Sequence, residues 1–204
     1  MKERGMIFNA EMVNAILSGR KTQTRRPIKW KQTRFTEIAE RDDGSLWPWA
    51  EDCERGGDIW FACPFGVVGD RIWVRETFRV HSRATDVATL VYRASVRNSW
   101  TEQTHRVPVA VCNKPATPEK WTPSIHMPRW ASRILLEIID VRVERLNSIT
   151  ESDAEAEGVT DTGFGDLLVD GFRYLWKSIY GDDSWQANPW VWVIEFKRVE
   201  GGAA

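Results

Sequence analysis

Gly19-Arg20-Lys21-Thr22-Gln23-Thr24-Arg25-Arg26 puts one titratable amine, two hydroxyls and three guanidinium groups into consecutive positions. The basic run continues beyond it: Arg20 through Arg34 holds seven Lys or Arg and no Asp or Glu, in a chain whose formal net charge is -1. A patch of this kind attracts phosphate or another anion. Like charge loosens the proton on an embedded lysine, and a neighbouring threonine offers a hydroxyl nucleophile. The plainer reading of the same run is a solvated charged face.

The elements around the octet decide how its side chains are aimed. Met6-Ile7-Phe8 reads as a short first strand, and Asn9 as the cap of a helix whose apolar positions Met12, Val13, Ile16 and Leu17 recur at helical spacing. Gly19 is a C-terminal stop, and Pro27 biases Arg26 away from helix. The octet is therefore expected on a turn and the strand that follows. Lys21 and Thr24 are three positions apart; a regular strand would send them to opposite sides, whereas a turn allows them to converge.

Further along, residues 29–69 read as an irregular insertion with one hairpin, given Asp42-Asp43-Gly44, Gly56-Gly57 and scattered prolines. Arg71 through Phe78 alternates and is rich in β-formers, which predicts a strand. Residues 80–128 form a second polar insertion, with strands at Thr89–Arg93 and Val107–Val111 and an aromatic loop over Trp121–Trp130. Arg133–Val143 is apolar on both faces and reads as a central strand. Thr150 and Asp153 are spaced as a capping box before a short helix stopped by Gly158. Asp166–Tyr180 shows an amphipathic stripe of Leu168, Phe172, Leu175, Trp176 and Ile179, and Trp190–Val199 is a final strand. This order is α+β, most economically one domain over 1–204 built as a small closed or nearly closed barrel with helices outside.

Composition narrows the classes. At 204 residues and 42% hydrophobic, the chain can bury a sizeable core. Tryptophan outnumbers the other aromatics, 12 against 8 Phe and 3 Tyr, which suits a packed barrel or a base-stacking surface; Trp73, Trp176, Trp190 and Trp192 lie in periodic segments and read as core. Cys53, Cys63 and Cys112 are odd in number and widely spaced, which argues against a disulfide framework and for a reducing cytoplasm. With His81, His105 and His126 they complete no zinc spacing, so no metal and no cofactor are expected. No stretch approaches the roughly 20 apolar residues of a membrane helix, and no signal peptide precedes Met6, so a cytoplasmic protein without a membrane partner is expected. Gly163-Phe164-Gly165 lacks the third glycine of a dinucleotide loop, and no Walker A, His-Glu-x-x-His or Gly-x-Ser-x-Gly occurs. Carboxylate pairs such as Glu155/Glu157 and Asp182/Asp183 read as helix surface or turn when taken alone.

Taken together, Gly19-Arg20-Lys21-Thr22-x-Thr24-x-Arg26 after a helix, Gly69-Asp70-Arg71-Ile72-Trp73-Val74 opening a strand, Ala154-Glu155-x-Glu157-Gly158 and Val193-Ile194-Glu195-Phe196 near the C-terminus resemble the ASCH family. With His126-Met127-Pro128-Arg129-Trp130, the pattern is similar to the longer ASCH proteins of tailed phages and prophages, which implies a bacterial host cell. The resemblance touches 7–28, 69–78 and 130–199 and implies a PUA-like β-barrel carrying two insertions. It further implies a partner that is a nucleoside or RNA. Small bacterial members are amidohydrolases that deacetylate 4-N-acetylcytidine with a lysine, a threonine and a glutamate, which match Lys21, Thr24 and Glu157 here. Arg20, Arg25, Arg26, Arg75, Arg129 and Trp130 are the accompanying candidates for binding substrate or nucleic acid.

Three functions follow as expectations. In the first, a basic cleft binds a modified cytidine or nucleotide and hydrolyses its N-acyl amide, with Lys21 as base, Thr24 as nucleophile and Glu157 as proton shuttle. The second is a non-catalytic RNA-binding module, or a ribonuclease using the same cleft. In the third, a phage accessory protein binds another protein through its Trp-rich insertions. Against the first stands a plain alternative in which Lys21 and Glu157 form a structural ion pair.

Overall fold

Asn9 accepts a hydrogen bond from the Met12 amide at 2.8 Å and so caps α1 (Ala10–Leu17), as the sequence predicts. The buried positions Val13, Ala15 and Ile16 fall on one face of this helix, and Gly19 follows it at φ 76°. The structure is a computed structural model that describes residues 1–30, 37–52, 54, 56–160 and 167–199. It contains both sheets and helices, an α+β arrangement as expected, but the described strands form three separate sheets and no closed barrel. The chain divides into two compact units, the first made of Met1–Gly19, Asp70–Glu137 and the chain from Lys197, the second of Arg20–Gly69 and Ile138–Phe196.

In the first unit, β1 (Glu3–Ile7) runs parallel to β6 (Arg71–Arg75) with Gly5 opposite Trp73. A side chain at Gly5 would collide with the Trp73 indole, its Cβ only 2.5 Å from the ring. On the other edge of β6, the start of β10 (Leu135–Arg145) pairs antiparallel, Leu135 opposite Trp73. β10 then passes into the second unit. The strand expected over 71–78 is two strands, because the chain turns at the buried Glu76 and continues as β7 (Phe78–Arg83) in another sheet. That sheet, in the order β7-β8-β9, includes β8 (Val87–Tyr92) and β9 (Thr104–Pro108), so most of the polar insertion over 80–128 is built on a regular antiparallel platform. α2 (Trp100–Gln103) leads into β9. Phe78, Val80, Leu90, Tyr92, Met127 and Ala131 form its core.

One ion pair organises that platform. Arg133 grips Glu76 with two parallel bonds, Nε to Oε1 at 2.9 Å and Nη2 to Oε2 at 3.0 Å, and its guanidinium stacks 4.1 Å above the Tyr92 ring. Tyr92 in turn donates to the Ala131 carbonyl at 2.7 Å. Burial raises the Glu76 pKa against the pull of Arg133, and burial together with Glu76 holds the Tyr92 phenol well above its ordinary value.

In the second unit, β2 (Gln23–Pro27) pairs antiparallel with β11 (Trp190–Arg198), Thr24 opposite Ile194, and the remainder of β10 lies on the other side of β11. The segment expected to be irregular over 29–69 contains a second three-stranded sheet, β3 (Glu37–Glu40), β4 (Leu46–Glu51) and β5 (Asp58–Trp60), in which Trp49 and Trp60 are cross-strand neighbours. α3 (Glu151–Ala156) and α4 (Leu168–Tyr180) complete the unit. Their core joins Leu146, Ala154, Phe172, Trp176, Val191 and Val193. Leu167 cannot cap α4, and the Glu151 carboxylate takes over that task, accepting from the Leu168 amide at 2.7 Å and the Val169 amide at 3.3 Å. The predicted start of this helix at Asp166 lies outside the described residues. Of the tryptophans expected in the core, Trp176 and Trp192 are buried, whereas Trp73 and Trp190 keep part of their surface in solvent.

Among the described residues no helix is long and apolar enough to cross a membrane. Cys63 and Cys112 are buried free thiols; Cys53 lies outside the described residues.

Candidate functional site

The turn after Gly19 is fastened from two directions. The Thr22 amide donates to the Ala156 carbonyl at the end of α3 at 2.8 Å, and the Phe196 amide on β11 donates to the Thr22 carbonyl at 2.8 Å. These bonds bring Lys21 against the C-terminus of α3, where Glu157 is the cap residue and Gly158 follows at φ 88°. Lys21 Nζ then has three acceptors: Glu157 Oε2 at 2.6 Å, the Gln23 carbonyl at 2.7 Å and the Glu157 carbonyl at 2.8 Å. The cation also sits favourably at a helix C-terminus. Lys21 is 2% exposed and Glu157 3%.

Burial is the largest influence on Lys21 and pushes its pKa down; Glu157 raises it, Arg26 and Arg25 lower it again, and the balance is a lysine below its ordinary value. This ammonium is thus easier to deprotonate than a surface lysine while bonded to a carboxylate.

Thr24 is equally buried, at 2% exposure, and lies on the regular part of β2. Side chains alternate along a strand, so Thr24 turns to the opposite face from Gln23 and Arg25. Among the described residues no hydrogen bond joins its hydroxyl to Lys21 or Glu157. Lys21 is nonetheless close to it along the chain, because the carbonyl that Nζ holds belongs to the peptide linking Gln23 to Thr24.

Arg25 points to the Lys21–Glu157 side. Its side chain is fully buried, with Nη2 at 3.1 Å from Glu144 Oε2 and 3.3 Å from Asp153 Oδ2, and Nη1 at 3.6 Å from Glu157 Oε1. Beyond it Arg142 is paired with Asp140, Glu144, Asp153 and Glu195. Burial disfavours the Arg142 charge, but bonds to Glu144, Glu195 and Asp140 outweigh it and raise its pKa. Asp153 likewise overcomes its burial through bonds from Thr150 and the charges of Arg25 and Arg142, which lower its pKa. The connected cluster holds three cations, Lys21, Arg25 and Arg142, against five carboxylates, Glu157, Asp153, Glu144, Asp140 and Glu195.

The other sequence candidates fall in two places. Arg20 is exposed and donates to the Gly158 carbonyl at 3.2 Å, and Arg26 follows Arg25 on β2, opposite Trp192. Arg75, Arg129 and Trp130 belong to the first unit. There Arg75 stacks 5.4 Å from the Trp73 ring and donates to the Ser124 and Ile125 carbonyls. Arg129 bonds Glu3 at 2.9 Å, and Trp130 packs edge-on against Phe78. These three fasten the 124–130 loop.

Arg142, Glu144, Asp153 and Gln23, whose Nε2 lies 3.2 Å from Asp153 Oδ1, have no place in the sequence-based site. A signal for Arg142 and Glu144 was present: Asp140, Arg142 and Glu144 recur at every second position of a strand, alternating with Ile139, Val141 and Val143. Among the described residues no group of three His, Cys, Asp or Glu is arranged to hold a metal ion.

Compared with family models, curated proteins and solved structures, the chain matches none of them.

Proposed function

We propose that this chain is an ASCH-type protein with a PUA-like fold that hydrolyses the N-acyl amide of an acylated cytosine nucleoside. The observation that carries the reading is the buried 2.6 Å contact between Lys21 Nζ and Glu157 Oε2 with a lysine whose pKa is lowered; the contact taken alone is equally the structural ion pair set against this reading. A buried amine that gives up its proton readily beside a carboxylate is equipped for general acid–base work. The ASCH-type assignment is supported by the lysine turn lying between the first helix and a strand that pairs with the last one.

This reading requires Thr24, which β2 turns to the face opposite Arg25, to be brought within reach of Lys21; Lys21, once neutral, then takes the proton of the Thr24 hydroxyl as that oxygen bonds to the acyl carbon. The C–N bond to the exocyclic nitrogen of the base breaks, Glu157 relays the proton to the departing amine, and water then releases the acyl group from Thr24. The excess of carboxylates over cations around Lys21 favours a neutral nucleoside over a phosphorylated or polymeric ligand, because Arg25 is already paired with acidic side chains.

The test is release of cytidine from 4-N-acetylcytidine, followed by chromatography, in the native chain and in Lys21→Ala, Glu157→Gln and Thr24→Val. Turnover that falls at least about 100-fold in each variant is expected. Absence of turnover above buffer, or undiminished turnover in Lys21→Ala, overturns the reading. Salt-sensitive binding of single-stranded RNA without turnover would point instead to an RNA-binding module.

A further inference from the structure

We propose that Arg25 is a positioning residue that acts as the second cationic partner of Glu157, facing the carboxylate oxygen that Lys21 does not hold and taking over as its counter-charge when Lys21 gives up its proton. This rests on the proposed assignment of Lys21 as the group that gives up its proton.

The two oxygens of Glu157 have different partners. Oε2 lies 2.6 Å from Lys21 Nζ, whereas Oε1 lies 3.6 Å from Arg25 Nη1. The second contact is an ion pair without a hydrogen bond: Arg25 Nη1, Arg25 Nε and Glu157 Oε1 are all buried and make none among the described residues. A guanidinium and a carboxylate at that separation need a displacement of only about 0.6 Å to reach hydrogen-bond distance. When Lys21 loses its proton, Glu157 loses its nearer counter-charge, and a lone buried carboxylate is costly. Arg25 is placed to supply the missing partner.

Arg25 is itself braced. Nη2 is held by Glu144 on β10 and Asp153 on α3, and its guanidinium lies 6.0 Å from the Phe172 ring on α4. Asp153 is four residues before Glu157, one helical turn, and is fixed by its reciprocal bonds with Thr150. Glu144 is fixed by Arg142 Nε at 2.6 Å. The charges that act on Lys21 are Glu157, the cap residue of α3, and Arg26 and Arg25 on β2; those paired with Arg25 are Glu157, Asp153 and Glu144. The Arg25 charge lowers the Lys21 pKa, as the least of the influences on it after burial, Glu157 and Arg26.

The decisive measurement is the titration of Lys21 itself, followed by NMR of its 13Cε and 15Nζ in the full chain, in Arg25→Gln and in Arg25→Lys. Arg25→Gln is expected to raise the Lys21 midpoint by about one pH unit, a tenfold change in proton affinity, while Arg25→Lys, which keeps the charge, stays near the native value. An unmoved midpoint in Arg25→Gln, or an equal rise in Arg25→Lys, overturns the proposal. If Arg25→Gln does not fold, Glu144→Gln decides: freeing Arg25 of one carboxylate is expected to lower the Lys21 midpoint, and no movement overturns the proposal. A shifted midpoint without turnover of 4-N-acetylcytidine refutes the amidohydrolase reading and leaves the Arg25–Glu157 coupling standing. With turnover, the acidic limb of kcat/KM moves in the same direction as the midpoint.

Discussion

Lys21 and Glu157, 136 positions apart in the chain, meet through two contacts at once: Nζ bonds both the carboxylate and the backbone carbonyl of the same glutamate. The lysine is thereby tied to a helix end as well as to a counter-ion. Since both side chains are buried, the pair is fully desolvated and each partner depends on the other.

Removing one member should therefore cost more than removing both. Lys21→Met leaves a buried carboxylate without its nearest partner and is expected to lower stability by about 3–5 kcal/mol, while Lys21→Met combined with Glu157→Leu should recover a large part of that loss. Urea unfolding of the two single variants and the double variant completes the cycle. Additive losses would show that the two side chains do not act as a pair.

Glu76 and Arg133 form the corresponding pair in the first unit, with a two-pronged geometry that a lysine cannot copy. Arg133→Lys should lose the fork, the bond to Ser95 and the stacking on Tyr92 together. A destabilisation of about 2–4 kcal/mol is expected in chemical denaturation. A loss under about 0.5 kcal/mol would mean that one point charge suffices there.

Tyr92 gives stability an alkaline limb. Its folded pKa lies well above the ordinary 10.0, so between these values the native state keeps a proton that the unfolded chain has released. Stability from this group is complete below pH 10 and declines as the pH climbs above it. Denaturant midpoints between about pH 9 and 11 should fall in the native chain and fall less steeply in Tyr92→Phe. The difference in tyrosine absorbance between the two proteins reports the same titration directly.

Gly171 lies inside α4, where alanine would ordinarily favour the helix. A Cβ at this position would come within 2.8 Å of Val159 Cγ1, so Gly171→Ala is expected to destabilise by about 1–3 kcal/mol. Val159→Ala in the same chain should remove most of that penalty. Thermal unfolding of the single and double variants checks both statements.

Much of the scaffold is readable locally. The Asn9 cap, the Gly19 stop, the Thr150–Asp153 capping box and the final strand from Trp190 each depend on neighbours in the chain, and each occurs as the sequence predicts. The two insertions read poorly because their strands are short and interrupted by proline and glycine, so hydrophobic alternation never accumulates over enough residues; β3-β4-β5 and β7-β8-β9 form through cross-strand pairing instead. The break at Glu76 is similarly silent in the sequence, and the arginine that holds this glutamate lies 57 positions away.

For the candidate site, the sequence by itself determined which groups are present: a lysine on a turn after a stopped helix, a threonine three positions later and a glutamate at the end of a short helix. Their chemistry and their local conformations follow from residue type and from near neighbours. Only the tertiary structure decided which charges neutralise which. It brought Glu157 onto Lys21, enclosed Arg25 among Glu144, Asp153 and Glu157, and turned Thr24 to the other face of β2. The physical reason is that an ion pair is set by distance and desolvation in space, and neither quantity is encoded in the separation of residues along a chain.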